Sequence, residues 1–185
     1  MRKMERDMLL RKIEEWRIKA QIETDPFNKY LSIFIAYNIF YNLYKKTEHP
    51  GADLTCGDST RAVETRSLID SEKLLEQLKS ELIEYLGFIP IYREEFWNRH
   101  RRVPIFETLD SAFNVGNAEK TIEMLLKWLY KVRCNLIHGE KNYDDESQKK
   151  LLAQSSSLLE KILTHAVNSY CQQYVSGDKR NIFSP

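Results

Sequence analysis

Apolar residues recur every three or four positions along most of the chain, which is the spacing of an amphipathic helix. In the first segment, the residues at this spacing are Met8, Leu9, Ile13, Trp16 and Ala20. The strict polar–apolar alternation and the hairpin turns of a β protein are absent from the sequence. The pattern therefore predicts an all-α fold.

Helix-capping residues, prolines and glycines divide this pattern into segments. They predict helices over about residues 2–22, 26–46, 60–86, 93–101, 117–138 and 144–174, a break at 87–90 and irregular structure at 103–116. Asp25 and Asn117 are the expected N-caps of the second helix and of the helix that ends at residue 138. Because the second helix is apolar on nearly every side, we expect it to lie centrally or at a subunit contact.

Length and composition favour one folded domain. The chain has 185 residues, of which 42% are hydrophobic and 30% are charged. We assign residues 1–175 to a single helical domain and residues 176–185 to a loose C-terminal tail. The formal net charge of +1 excludes a strongly basic nucleic-acid coat but allows a local basic patch.

The cysteine and hydropathy patterns indicate a reducing compartment. Three cysteines without a CxxC pair predict neither a disulfide framework nor a cysteine-rich zinc site. The first residues mix acids with bases and do not resemble a signal peptide. Polar residues interrupt the most apolar stretch, 27–44, so a membrane span is not expected. These patterns predict a cytoplasmic protein with no metal site, no cofactor and no membrane partner.

One charged residue interrupts the apolar stripe of the predicted 117–138 helix. At about 100° per residue, Arg133 falls near the middle of the stripe that contains Leu129 and Leu136. Removing a guanidinium from water is costly unless it is paired. Arg133 therefore either meets a neighbouring acid or carbonyl, or lines a cleft between helices.

His138 stands at the predicted end of the same helix. Five residues turn a helix through about 500°, so the side chains of Arg133 and His138 point about 140° apart. The partial negative charge of the helix end favours an imidazolium. This charge suits a proton donor, and it equally suits an ordinary C-terminal cap residue.

Two asparagines lie four residues apart on one face of the second helix. Asn38 falls within the aromatic stripe that includes Phe34 and Tyr41, and Asn42 follows one turn later. Buried amides need hydrogen-bond partners. The pair therefore either bridges packed helices, holds Arg133 or orients a ligand.

Two segments resemble the HEPN superfamily. The segment VRCNLIHG, residues 132–139, resembles its signature, an arginine followed by a histidine near the end of a core helix, here with Arg-x4-His spacing. The segment FIAYNIFYN, residues 34–42, resembles the aromatic second helix, with its asparagine, of prokaryotic HEPN proteins. The order of the helices agrees, so the resemblance covers most of the chain.

The resemblance implies an up-and-down bundle of four to five helices that forms a homodimer. It also implies a metal-independent endoribonuclease, a toxin or defence effector, with Arg133 and His138 of both copies in one interface cleft. Arg133 would stabilise the scissile phosphate of single-stranded RNA, and His138 would transfer a proton as the ribose 2′-OH attacks. The products would carry 2′,3′-cyclic phosphate and 5′-hydroxyl ends. Asn135, Asn38 and Asn42 would support the site.

The sequence also departs from the family pattern. Cys134 follows the arginine where many members carry a polar residue, and the amide comes one position later, at Asn135. This departure favours the alternative of a non-catalytic module that binds RNA, a nucleotide or a protein. A third alternative is a helical interaction protein in which Arg133 forms a structural salt bridge. Glu140 replaces the tyrosine typical of members with a nucleotidyltransferase antitoxin, so an antitoxin or regulatory partner stays unspecified.

Other basic residues are weaker candidates for RNA contacts. Arg99, Arg101 and Arg102 lie near Phe96 in a basic and aromatic cluster. Such a cluster is either an RNA-docking surface or a solvated helix end. Lys141 lies just after the histidine and is a further candidate phosphate contact.

Overall fold

The computed structural model describes residues 3–50, 57–96, 105–137 and 145–175, with the backbone alone described for 88–96. Its elements are α1 (Lys3–Ile22), α2 (Pro26–Glu48), α3 (Asp58–Glu64), a 3₁₀ turn (Thr65–Leu68), α4 (Ser71–Phe96), α5 (Ile105–Asn114), α6 (Ala118–Ile137) and α7 (Glu146–Tyr174). No strand occurs in these ranges, which confirms the all-α prediction. The predicted tail, 176–185, lies outside the described residues.

Helix α2 occupies the centre of the bundle, as its apolar sequence predicts. It packs against α1, α3, α6 and α7. Its buried side chains include Tyr30, Phe34, Tyr37, Phe40 and Tyr41. Helices α4 and α6 pack against each other, and α4 also packs against α7. The core is therefore built around an aromatic helix, with the end of α6 close to its first half.

The N-caps have the expected local geometry. The Asp25 carboxylate accepts a hydrogen bond from the backbone N–H of Asn28 at 2.8 Å. The Asn117 side-chain oxygen accepts one from the backbone N–H of Lys120 at 3.0 Å. Asp145 caps α7 in the same way. Each cap satisfies a backbone donor that the first helical turn leaves without a partner, so each helix begins where its capping residue predicts.

The predicted 60–86 helix is wrong as a single element. The chain forms α3 and a 3₁₀ turn, and Ile69 then adopts an extended conformation with φ −102° and ψ 123°. Helix α4 begins only after Asp70, whose carboxylate accepts a hydrogen bond from the backbone N–H of Lys73 at 3.1 Å. The N-cap at Asp70 therefore begins a separate helix, and α3 does not continue into α4.

Two further boundaries differ from the prediction. Helix α4 continues through Gly87 and Pro90 to Phe96, so the predicted break is wrong. Proline has a helical φ angle, and although it removes one backbone hydrogen bond and its ring crowds the carbonyl four residues earlier, the remaining turns of a long helix can retain it. The interval predicted as irregular contains α5, which buries Phe106 and Leu109 against the bundle. Their helical spacing was a local signal for this short helix.

The described helices also bear on the membrane prediction. In residues 3–50, 57–96, 105–137 and 145–175, no helix combines the length and apolar character that crossing a bilayer requires.

Candidate functional site

Arg133 lies half-buried near the C-terminal end of α6, between two aromatic rings. Its guanidinium carbon is 5.6 Å from the ring centroid of Phe34 on α2 and 5.8 Å from that of Tyr130. Tyr130 precedes Arg133 by three residues and therefore shares its face of the helix. The two rings contact each other with centroids 5.9 Å apart. This arrangement places the guanidinium against the two rings at the contact between α2 and α6.

No carboxylate lies within salt-bridge distance of Arg133 among the described residues. Its one polar contact there is with the neighbouring thiol: Nη1 lies 4.0 Å from Sγ of Cys134. Cation–π contacts attract a guanidinium but do not neutralise its charge. Within the described residues, no carboxylate therefore neutralises the charge of Arg133.

Tyrosine hydroxyls fix the helices beneath Arg133. The buried hydroxyl of Tyr30 on α2 donates to the backbone oxygen of Leu129 on α6 at 2.6 Å. The hydroxyl of Tyr37 donates to the backbone oxygen of Ala62 on α3, also at 2.6 Å. Burial raises the pKa of both tyrosines well above the ordinary value of 10.0, so both remain neutral donors. Neutral hydrogen bonds thus hold α6 and α3 on α2.

The two predicted asparagines interact within α2. The Asn38 amide donates to the Tyr41 hydroxyl. The Asn42 amide donates to the backbone and side-chain oxygens of Asn38, at 2.9 and 3.0 Å. The side-chain oxygen of Asn42 is buried and has no hydrogen-bond partner among the described residues. The amides therefore form a local network that orients Tyr41, and neither has a described hydrogen bond to Arg133.

A second arginine lies close to Tyr41. The Arg61 guanidinium carbon is 6.0 Å from the Tyr41 ring centroid, and Arg61 is paired with Asp58 one turn earlier in α3. Burial raises the pKa of Tyr41 most; Asp58 raises it further, and Arg61 and Arg133 lower it.

We call Phe34, Asn38, Tyr41, Tyr130 and Arg133 the Arg133 cluster.

Sequence reasoning missed three of the residues around this cluster. The spacing of Tyr130 and Arg133 was a local signal that they share a helix face. Arg61 and Asp58 gave no such signal, because their approach to Tyr41 depends on how α3 packs against α2.

Because the pKa of Tyr41 is raised, its hydroxyl stays neutral at biological pH and serves as a hydrogen-bonding group and not as a base.

Asn135 is separated from Arg133. It is only 2% exposed. Two residues turn a helix through about 200°, so the side chains of Arg133 and Asn135 point to nearly opposite sides of α6. The structure therefore does not bring Asn135 together with the guanidinium.

The remaining predicted site residues cannot be placed with the cluster. His138, Lys141, Arg99, Arg101 and Arg102 lie outside the described residues. The described part of α6 ends at Ile137, directly before His138.

The chemistry of the described cluster is that of an anion-binding surface. It offers a half-buried guanidinium and the part-buried amide of Asn38, whereas the Tyr41 side chain is enclosed in the core and orients that amide. In the ranges that the structure describes, no group of His, Cys, Asp and Glu side chains is arranged to hold a metal ion. No protein-family model matches the chain, and neither a curated protein nor a solved structure matches it.

Proposed function

We propose that this chain is a metal-independent endoribonuclease of the HEPN type that cleaves single-stranded RNA, acting in the cytoplasm as a toxin or defence effector. The observation that carries the proposal is the state of Arg133. Its guanidinium is half-buried, fixed by Phe34 and Tyr130, and without a carboxylate among the described residues. A fixed charge of this kind is suited to an RNA phosphate.

Arg133 stabilises the reacting phosphate in this proposal. The planar fork of a guanidinium can donate to two phosphoryl oxygens at once. Because the aromatic contacts restrict its orientation, little reorganisation is needed as negative charge develops on those oxygens. The RNA 2′-OH attacks the adjacent phosphorus, so neither a metal nor a protein nucleophile is required. The part-buried amide of Asn38 would contact the ligand beside that phosphate, and the enclosed Tyr41 hydroxyl would orient this amide.

His138 transfers the proton. It follows the described end of α6, and the helix that the sequence predicts through residue 138 would direct it about 140° away from Arg133 of the same copy. A composite site at a homodimer interface, with Arg133 of one copy and His138 of the other at one phosphodiester, resolves this divergence. The new bond from the 2′-oxygen to phosphorus replaces the bond to the 5′-oxygen, which leaves with a proton from the imidazolium, while solvent accepts the proton of the 2′-OH.

Cleavage with EDTA present tests the proposal. Purified protein should convert single-stranded RNA to products with 2′,3′-cyclic phosphate and 5′-hydroxyl ends. Arg133→Ala should lower the rate about 10²–10³-fold, as loss of a charge-stabilising donor does. His138→Ala should lower it about 10²–10⁴-fold, as loss of a proton-transfer group does.

Matched controls come from the same chain. Lys131→Ala removes an exposed cation two residues before Arg133, and His49→Ala removes an exposed histidine at the end of α2. Both controls should cleave at the wild-type rate. Equal cleavage by Arg133→Ala and Lys131→Ala would show that the guanidinium of Arg133 has no part in the reaction.

A non-catalytic binding module is the second candidate. The position of Asn135 favours it, because this amide is buried and Cys134 occupies the position directly after the arginine. Such a module uses the Arg133 cluster to bind RNA, a nucleotide or an acidic protein segment. RNA binding that Arg133→Ala weakens, without products from any of a varied set of RNAs, would select this candidate.

A further inference from the structure

Helix α1 carries an exposed apolar stripe on the side that faces away from the bundle. The side chains of Met4, Met8, Ile18 and Ile22 are 82%, 49%, 49% and 76% exposed. The opposite side of the helix is buried and includes Ile13. Four large apolar side chains on one solvent-facing stripe are characteristic of a surface that another chain covers.

The spacing of the stripe is that of a helix–helix seam. Between the two apolar pairs lie Arg11 and Glu15, which are exposed as well. The six positions are separated by steps of four, three, four, three and four residues. This alternation is the a/d pattern of helices that pack lengthwise against each other. At about 1.5 Å per residue, α1 offers a seam about 30 Å long.

The order of the six residues indicates which chain packs against the stripe. Read from either end, the stripe is two apolar residues, a pair of opposite charges and two apolar residues. A second copy packed antiparallel places Met8 opposite Ile18 of the partner subunit and Arg11 opposite Glu15 of the partner subunit. The two-fold axis then gives two such ion pairs. A parallel copy would instead place Arg11 against the partner's Arg11.

We propose that α1 is a homodimer contact in which two copies pack antiparallel along this stripe. The apolar ends lose their exposure to water, and the two central ion pairs specify the direction of packing. Helix α1 packs within its own copy against α2, whereas Arg133 lies on α6. The contact uses a different surface from the Arg133 cluster, so it goes beyond the proposed nuclease function.

Charge reversal tests both the contact and its direction. In Arg11→Glu, each central pair becomes two carboxylates, so we expect the association constant to fall about tenfold or more in sedimentation equilibrium. Glu15→Arg should have the same effect. The double variant, Arg11→Glu with Glu15→Arg, restores opposite charges and should associate as the wild type does. Lys79→Glu makes the same change in net charge at an exposed position of α4. It is the matched control and should leave association unchanged.

Three outcomes would overturn the proposal. A wild-type chain that remains monomeric at about 100 μM would show that a second copy does not cover the stripe, and it would also contradict the composite homodimer site of the proposed nuclease. Equal association of the wild type and Arg11→Glu would exclude the antiparallel pairing. Weak association of the double variant would exclude the pairing of Arg11 with the partner's Glu15. RNA cleavage by Arg11→Glu is measured separately: a variant that associates less but cleaves at the wild-type rate would support the α1 contact and leave the nuclease proposal standing.

Discussion

Arg17 and Arg133 are both withdrawn from solvent in this bundle, and they are held in opposite ways. Arg17 on α1 donates to Glu160 on α7 through Nε at 3.1 Å and Nη2 at 2.9 Å. It also donates to Glu14 at 3.1 Å and to Thr164 at 2.9 Å. Arg133 has two aromatic rings and a thiol as its described contacts.

Among the described residues, the difference separates an arginine that is paired with carboxylates from one that is not. Arg17 is compensated by two carboxylates, so its charge is used within the α1–α7 contact. The charge of Arg133 is positioned but not neutralised within the described part of the chain. Burial alone therefore does not distinguish the two roles, whereas the inventory of hydrogen-bond acceptors does.

The largest expected effect comes from replacing each arginine by methionine, which keeps much of the apolar stem. Arg17→Met should lower the free energy of unfolding by about 2–3 kcal/mol, because Glu14 and Glu160 lose their charged partner. Arg133→Met should lower it by less than about 1 kcal/mol, since only ring contacts are lost. Urea denaturation followed by circular dichroism measures both changes.

The contrast would fail if the two variants lost equal stability. A loss at Arg133 as large as that at Arg17 would indicate a carboxylate partner for Arg133 in the folded protein. RNA binding provides the reciprocal measurement: Arg17→Met should bind as the wild type does under conditions where both are folded, and Arg133→Met should not.

Local signals in the sequence predicted much of the fold. Asp25 and Asn117 cap their helices because each needs only neighbouring backbone N–H groups. The apolar surroundings predicted for Arg133 follow from helical periodicity and correspond to its contacts with Phe34 and Tyr130. The cap at Asp70 was an equally local signal, and overlooking it merged two helices into one.

The rest depended on tertiary packing. The approach of Arg61 to Tyr41 joins two helices that sequence spacing cannot relate. Met8 has helical spacing with buried residues but is 49% exposed, because α1 carries apolar side chains on two faces. Asn135 was expected to support the site, yet its burial is set by the packing of α6. Periodicity defines the faces of a helix, and only the packed bundle assigns each face to a neighbour.

A smaller effect is expected from the hydrogen bond beneath Arg133. Tyr30→Phe removes the hydroxyl that donates to the Leu129 backbone oxygen at 2.6 Å and leaves the ring in place. The free energy of unfolding should fall by about 1 kcal/mol, the typical contribution of a buried hydrogen bond. Tyr174→Phe removes a surface hydroxyl that donates to Glu48, so it is the matched control with a smaller expected loss. Equal losses in urea denaturation would contradict the structural role of the Tyr30 hydroxyl.

The smallest expected effect lies on the Arg17 side of the bundle. His165 follows Thr164 on α7 and lines a polar groove with Asp70 and Lys73. Burial lowers the pKa of His165 below its ordinary 6.5, Asp70 opposes the shift and Lys73 adds to it. The unfolded chain therefore binds more protons near and below pH 6.5, so this group lowers stability as the pH falls through that range.

Replacing His165 isolates this contribution. Between about pH 7.5 and 5.5, which brackets the ordinary histidine pKa, the wild type should lose more stability than His165→Gln. His49→Gln changes an exposed histidine at the end of α2 and should follow the wild-type pH profile. Thermal denaturation at matched ionic strength measures all three. If His165→Gln reproduces the wild-type profile, the groove does not disfavour the imidazolium, and the pH dependence of the fold originates elsewhere.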